Sequence, residues 1–366
     1  MKITCFKNHL KEKLFFAEKN AAKISNMPIL SGVYLKTDKN SLKIISTNLE
    51  TGFEAVIPAK IHKEGEIIVP VRVITQLISA LFDEKINMEL IGKNLNISTE
   101  KISSLIKGYP IEDFPQLPKI KKSSVFNISS GELSQGLKLV YNAASNSNLK
   151  PEIASIYFYI QNKIPLKLVA TDSFRLAEKT LNCAIKNAES FILPIKSAAE
   201  LIKLLENKEE DIQISFNANQ INFSGKDFNF ISRLIEGVFP NYESIIPKKF
   251  SVETLIKKDR LIDALRSASI FSGYLNEITL NIIPEDNLIE IRTQSGEIGE
   301  HTSQLDAKIT GEKISLNFNY HYLLDGLQNI NHSDVLLRFS GENHPLLIQH
   351  PGNSSYFYLA MPMKKT

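Results

Sequence analysis

The stretch "LVATDSFRLAEK", Leu168 to Lys179, holds the residue types most able to do chemistry in this chain. Asp172 lies between Thr171 and Ser173, with Arg175 just behind. A carboxylate beside two hydroxyls and a guanidinium suits general acid or base work. The same residues suit a hairpin bend, because Asp and Ser side chains hydrogen-bond the nearby backbone. Other chemistry is scarce. The sequence has no phosphate-binding loop ending in Gly-Lys-Ser/Thr, no H-E-x-x-H pair and no G-x-S-x-G elbow. His332, Asp334, Glu342 and His344 share one polar stretch and read as loop-end residues rather than a metal site. The two cysteines, Cys5 and Cys183, have no metal spacing, so neither a metal nor a cofactor is expected, and a reducing cytoplasm suits them.

The elements that position these residues recur. Leu10, Leu14, Ala17 and Ala21 lie on one face of a predicted helix. Leu133, Leu137, Val140 and Ala144 repeat that pattern, as do Leu261, Leu265 and Ala268. A second predicted helix in each segment carries Leu77, Leu201 and Leu324 as its buried leucine, at spacings of 124 and 123. Phe114-Pro115 and Phe239-Pro240 close two segments 125 residues apart. Such periodicity in 366 residues predicts three copies of one unit. Between the helices run short alternating stretches such as "SLKIIST", "DIQISF" and "NLIEIRT". The expected fold is therefore α+β, each repeat having two helices packed on about eight antiparallel strands. The boundaries fall at 1–121, 122–248 and 249–366.

Aligned repeats place Thr47, Thr171 and Thr293 together, followed by Asn48, Asp172 and Gln294. A carboxylate is not what the unit requires; a polar residue that bends the chain is. Arg72 and Lys196 each stand two residues after a proline, in the first turn of the second helix, where a cation adds to an anion-attracting helix start. Lys11, Lys19 and Lys23, then Lys257, Lys258, Arg260 and Arg266, load the first helices with charge. Net charge is only +3, so any phosphate-binding surface must come from the placement of the lysines. The charged N-terminus "MKITCFKNHLKEKL" lacks a signal peptide's apolar core, and no apolar run is long enough to span a bilayer.

Seven stretches, in order, carry a likeness: "MPIL" (27–30), "STNLE" (46–50), "IVPVR" (68–72), "EDFPQLP" (112–118), "VATDSFRLA" (169–177), "GVFPNYESIIP" (237–247) and "YLAMPM" (358–363). Over its full length the chain resembles the bacterial DNA polymerase III beta subunit family, the replicative sliding clamps. The resemblance implies a DNA clamp fold and two chains joined head to tail in a dimeric ring, with helices around duplex DNA and sheets outside. It implies no catalytic site, and partners that include the polymerase III catalytic subunit, the clamp loader, other polymerases and repair proteins, docked through short peptides. By the same resemblance Lys23, Arg72, Asn148, Lys150 and Lys196 face DNA. The edge around Ser104, Leu105 and Ile106 meets the region of Ile270 and Phe271 of a second copy.

The implied peptide groove takes Ala154, Thr171, Ser173, Phe174, Arg175 and Leu176 from the middle repeat. Pro240, Ser244 and Ile245 come from the following linker. Pro345, Leu346, Leu359 and Ala360 join them with the tail residues Met361, Pro362 and Met363. Phe174 stands where the family often has histidine, Ile24 where it has arginine, and Val238, Glu243 and Ser244 where it is often basic, so a less positive groove is expected. Two other readings stay open at this point: a monomeric repeat-built DNA-binding protein, and an enzyme with its site around Asp172 and Arg175.

Overall fold

A computed structural model describes residues 1–23, 27–118, 120, 124–147, 149–185 and 188–364. The first repeat runs β1 (Lys2–Phe6), α1 (Lys7–Lys19), β2 (Gly32–Asp38), β3 (Ser41–Thr47), β4 (Thr51–Lys63), β5 (Glu66–Pro70), α2 (Val71–Ala80), β6 (Lys85–Ile91), β7 (Asn94–Ser98) and β8 (Ser103–Lys107). The second runs β9 (Ser124–Ser129), α3 (Ser130–Tyr141), β10 (Ser155–Tyr159), β11 (Pro165–Thr171), β12 (Arg175–Ala184), β13 (Phe191–Pro194), α4 (Ile195–Leu205), β14 (Asp211–Phe216), β15 (Gln220–Ser224) and β16 (Phe228–Arg233). The third runs β17 (Val252–Lys257), α5 (Lys258–Ser269), β18 (Glu277–Ile283), β19 (Leu288–Ser295), β20 (Gly299–Asp306), β21 (Lys308–Gly311), β22 (Ile314–Asn319), α6 (Tyr320–Gln328), β23 (Asp334–Phe339), β24 (Leu346–His350) and β25 (Asn353–Ala360).

The element order is thus an α+β unit used three times, with every strand pairing antiparallel. The third copy has one strand more than expected. Its long fourth strand breaks at Ala307, whose N–H leaves the ladder to bond the Asn287 carbonyl at 2.9 Å.

The first helix of each repeat buries the face its sequence period assigns. Leu10, Leu14, Leu133, Leu137 and Leu265 are fully buried and Leu261 nearly so, while Ala21 and Ala144, expected on the same face, are buried just past the helix ends. Each such leucine stabilises the fold by roughly 1.5–3 kcal/mol. The second helices depart from expectation. Leu77 and Leu324 are half-buried, and only Leu201 is fully buried. Counted from their first residues, Val71, Ile195 and Tyr320, the shared buried position is Ile74, Ala198 and Leu323. The second helices begin 124 and 125 residues apart, so Leu324 is the fifth residue of its helix where Leu77 and Leu201 are the seventh of theirs.

The chain divides into two compact units, Met1–Ser134 with Ala199–Leu234, and Gln135–Ala198 with Ile235–Thr366. The division passes through the middle repeat because strands pair across repeat boundaries. In the first unit β4 pairs with β16, so one sheet runs β8-β7-β6-β1-β4-β16-β15-β14-β9. Buried Lys13 of α1 reinforces that junction by pairing with Asp227 of the β15–β16 turn. In the second unit β12 pairs with β25, giving the order β13-β10-β11-β12-β25-β24-β23-β17-β21. A separate four-stranded sheet, β20-β19-β18-β22, completes that unit.

The two junctions share one register. Thr47 and Thr171 lie opposite Gly52 and Leu176 in their hairpins, and these face Ile231 and Leu359 across the junctions. Glu50 and Phe174 each give a carbonyl to the far strand, accepting from Arg233 N–H at 2.9 Å and Met361 N–H at 2.8 Å. Two equivalent edges are left unpaired among the described residues: β8 of the first repeat and β20 of the third.

Candidate functional site

Asp172 is a turn former. Its Oδ1 accepts the Phe174 and Arg175 N–H groups at 2.9 and 3.0 Å, and Oδ2 takes Arg175 Nε at 2.9 Å. The Thr171 hydroxyl donates to the Arg175 carbonyl at 2.6 Å and accepts the Ser173 N–H at 3.1 Å. Asn48 and Thr47 build the same turn in the first repeat. Asn48 Oδ1 accepts Glu50 and Thr51 N–H at 2.9 and 2.7 Å, and the Thr47 hydroxyl donates to the Thr51 carbonyl at 2.7 Å. The residue after each polar group, Leu49 or Ser173, takes φ of 73° or 79°, the left-handed conformation the turn needs.

The third repeat differs from the alignment read in the sequence. Strand register puts Gln294, rather than Thr293, at the position of Thr47 and Thr171, still within β19 and paired with Glu300. The bend of that hairpin lies beyond Gln294, so Gln294 bends nothing.

All residues of the expected groove fall within the second unit. Arg175 and Leu176 at the start of β12 pair with Ala360 and Leu359, and Leu346 pairs with Ala360. Leu176 and Leu359 join Val169, Ile192, Phe239, Tyr242 and Leu347 in one buried cluster, where Phe239 stacks on Tyr157 at 4.6 Å. Ala154, Thr171, Pro345, Leu346 and Ala360 are buried with this floor. Ala154 precedes β10 at the sheet end where β11 turns into β12. Phe174 is 60% exposed and Ile245 45%, while Ser173, Pro240 and Ser244 are also exposed. Ser244 and Ile245 sit on a 3-10 turn, Tyr242–Ile245, closed by a 2.8 Å bond from Ser244 Oγ to the Asn241 carbonyl. Half-buried Met361, Pro362 and Met363 continue past β25, and Met363 N–H donates to the Asn317 carbonyl of β22 at 2.7 Å.

Sequence reasoning missed the α6 side of this site. The Arg175 guanidinium lies 4.7 Å from the Tyr322 ring centroid and bonds Asp325. The Phe174 ring runs nearly parallel to that of Tyr322, centroids 6.4 Å apart. Tyr322 and Asp325 are three residues apart, hence on one helix face. Burial works against the Arg175 charge, but Tyr358, Asp172 and Asp325 outweigh it and hold the guanidinium above its ordinary pKa. Burial pushes the Tyr358 and Tyr242 hydroxyls up, and Glu178 adds to the effect at Tyr242. The result is a charged anchor between carboxylates, beside an apolar strip of Phe174, Ile245 and the methionine tail. Such a surface holds an extended apolar peptide more readily than it abstracts a proton.

The cations expected to meet phosphate are exposed. Arg72 and Lys196 take the second helical position of α2 and α4, and Lys23 and Lys150 lie in loops. Among the described residues none of the four has a carboxylate partner. Asn148 and Ile24 lie outside the described residues. In α6 the matching position is His321, whose N–H is capped by Asn319 at 3.0 Å. Two lysines read as part of the basic surface are engaged at home. Lys257 pairs with Asp334 at 2.9 Å, and Lys258 Nζ donates to the Ile330 carbonyl at 2.9 Å.

At the unpaired edges, Leu105 is 58% exposed, Ser104 half-buried and Ile106 buried. Ile270 and Phe271 are not a strand. They end α5, where exposed Ile270 precedes a Phe271 ring stacked at 5.6 Å on His301 of β20.

Three family models match consecutive parts of the chain. They describe the N-terminal, central and C-terminal domains of the DNA polymerase III beta subunit and match residues 1–118, 127–241 and 243–364. A beta sliding clamp of Synechococcus elongatus is 26% identical over 373 residues, covering 100% of this chain and 99% of the relative. One from Staphylococcus aureus is 26% identical over 360 residues, 93% of each. Among solved structures, the DNA polymerase III beta subunit of Thermotoga maritima is 26% identical with a TM-score of 0.93. The DNA polymerase sliding clamp of Bacillus subtilis is 25% identical with a TM-score of 0.94. Both cover 100% of either chain. No described helix is long and apolar enough to cross a membrane.

Proposed function

The chain belongs to the DNA polymerase III beta subunit family, and from that premise we propose that it works as the replicative sliding clamp. It is a non-catalytic accessory subunit that confers processivity on the polymerase. Two copies close head to tail around duplex DNA, each contributing domains 1–121, 122–248 and 249–366. The groove of the second unit docks short peptides of the polymerase III catalytic subunit, the clamp loader, other polymerases and repair proteins. The ring operates in the cytoplasm, where Cys5 and Cys183 stay reduced.

The observation that carries the ring is the shared register of the two internal junctions. Counted outward from the residues paired before each first helix, Leu105, Ile231 and Leu359 occupy one position. Counted likewise from the residue before each second helix, Glu300 corresponds to Gly52 and Leu176. The unpaired β20 of one copy and β8 of another therefore supply the missing third junction, with Glu300 opposite Leu105 and Thr302 opposite Ser103. The Ile298 carbonyl then receives the Lys107 N–H. Exposed Leu105 and Ile270, with Phe271 beside them, become the apolar filling of that seam. A strand edge left open on both ends of a chain makes a heterologous contact, and closing it after two copies protects both edges.

Enclosure explains how a DNA-bound protein keeps a net charge of only +3. Topology holds the duplex, so each phosphate contact can stay weak and sliding remains easy. Lys23, Arg72, Asn148, Lys150 and Lys196 are the DNA-facing set, and His321 extends it to the third repeat. The enzymatic reading of Asp172 has lost its support, since both carboxylate oxygens are spent on the turn and Arg175.

The register is tested by placing Ser103→Cys and Thr302→Cys in one chain. Oxidation should give a covalent dimer on non-reducing electrophoresis, while Ser103→Cys with Gln304→Cys, two residues out of register, should not. Equal crosslinking of the two pairs, or of neither, would overturn this seam.

A further inference from the structure

We propose that Phe174, Tyr322 and Asp325 make this groove select docking peptides that carry an arginine next to their apolar anchor residues. The proposal rests on the groove reading above and adds the charge and shape of the preferred partner. Phe174 is held out of the core by its neighbours. Its carbonyl accepts Met361 N–H at 2.8 Å, its N–H is fixed by Asp172, and its ring stays 60% exposed. With Tyr322, nearly parallel at 17°, it makes an aromatic shelf beside the half-buried methionine tail.

The charge around that shelf is uneven. Arg175 is one cation facing two carboxylates, Asp172 and Asp325, so the cluster carries a net negative charge. Asp325 is the more open of the two acids, its side chain 31% exposed against 14% for Asp172. Exposed Glu243 on the 3-10 turn adds a further negative charge to the groove wall.

An incoming guanidinium satisfies both features at once. Its flat face stacks on the Phe174 ring and its N–H fork reaches toward the carboxylates. A lysine offers a point charge without the stacking plane, and a peptide carboxylate meets like charge. A neutral planar residue gains the ring contact alone. The Arg175–Tyr322 pair is an internal instance of the same geometry, a guanidinium over a ring with carboxylates at its edge.

The test uses the purified full chain and fluorescent peptides with one fixed apolar anchor. Each flanking position carries in turn arginine, uncharged isosteric citrulline, or glutamate, and binding is read by anisotropy. At one position arginine should bind about fivefold more tightly than citrulline, with glutamate weakest. Phe174→Leu, at an exposed ring that leaves folding intact, should shrink that advantage, weakening arginine peptides more than citrulline peptides. Asp325→Asn should reduce it, and added salt should shrink it. Arginine and citrulline binding alike at every position overturns the selectivity and leaves the groove standing. If no anchored peptide binds, or Met361→Ala with Met363→Ala changes nothing, the groove reading falls and this inference with it.

Discussion

Asp172 illustrates how a residue with catalytic credentials is claimed by architecture. Its carboxylate closes a turn that Asn48 closes with an amide in the first repeat, so charge is dispensable to the bend. Asp172→Asn should retain both backbone bonds and forfeit only the contact with Arg175, costing under about 1 kcal/mol. Asp172→Ala strands two N–H groups and should cost about 1–2 kcal/mol. Denaturant unfolding distinguishes them, and equal losses would contradict the turn assignment. This much was legible in the sequence because the two repeats could be compared position by position. Arg175's true setting was not. Tyr322 and Asp325 come from a helix 150 residues away, and no local pattern marks them as its neighbours.

At the level of elements, α6 depends on one missing side chain. A Cβ on Gly326 would meet ring atoms of Tyr358 at 2.6 and 2.9 Å, so the glycine lets α6 lie against β25. Alanine would gain about 1 kcal/mol of helix propensity. The forced separation from a fully packed ring should outweigh it, for a net loss of about 1–2 kcal/mol. Gly326→Ala should therefore lower the unfolding midpoint and weaken peptide binding, because Tyr322 and Asp325 ride on the same helix. A raised midpoint would show that α6 is not seated as described. The first helices were legible since Leu10, Leu133 and Leu261 repeat a clear apolar face. The second helices were harder, because their buried position passes through Ala198, whose small size gives little signal. Strand β20, "GEHTSQLD", shows why edges escape notice. It alternates between exposed and half-buried with Leu305 as its single apolar side chain, a pattern that only a partner strand completes.

On the scale of the whole molecule, threefold repetition was the strongest message of the sequence, and the fold repeats it strand for strand apart from the break at Ala307. What repetition alone left open is where one copy joins the next. That information lies in register: β4–β16 and β12–β25 are two observed examples of a junction, and in the proposed ring β8 with β20 form a third. The modest charge, the exposed cations at helix starts and the two open edges then have one explanation in the proposed account, a closed ring held by topology. The most direct measurement loads the protein with its clamp loader onto nicked circular DNA and follows retention by gel filtration in moderate salt, before and after the circle is cut once. The account predicts stable retention on the circle and rapid loss from the linear ends. Equal retention on both would mean that contacts, not enclosure, hold the DNA, and would contradict the ring.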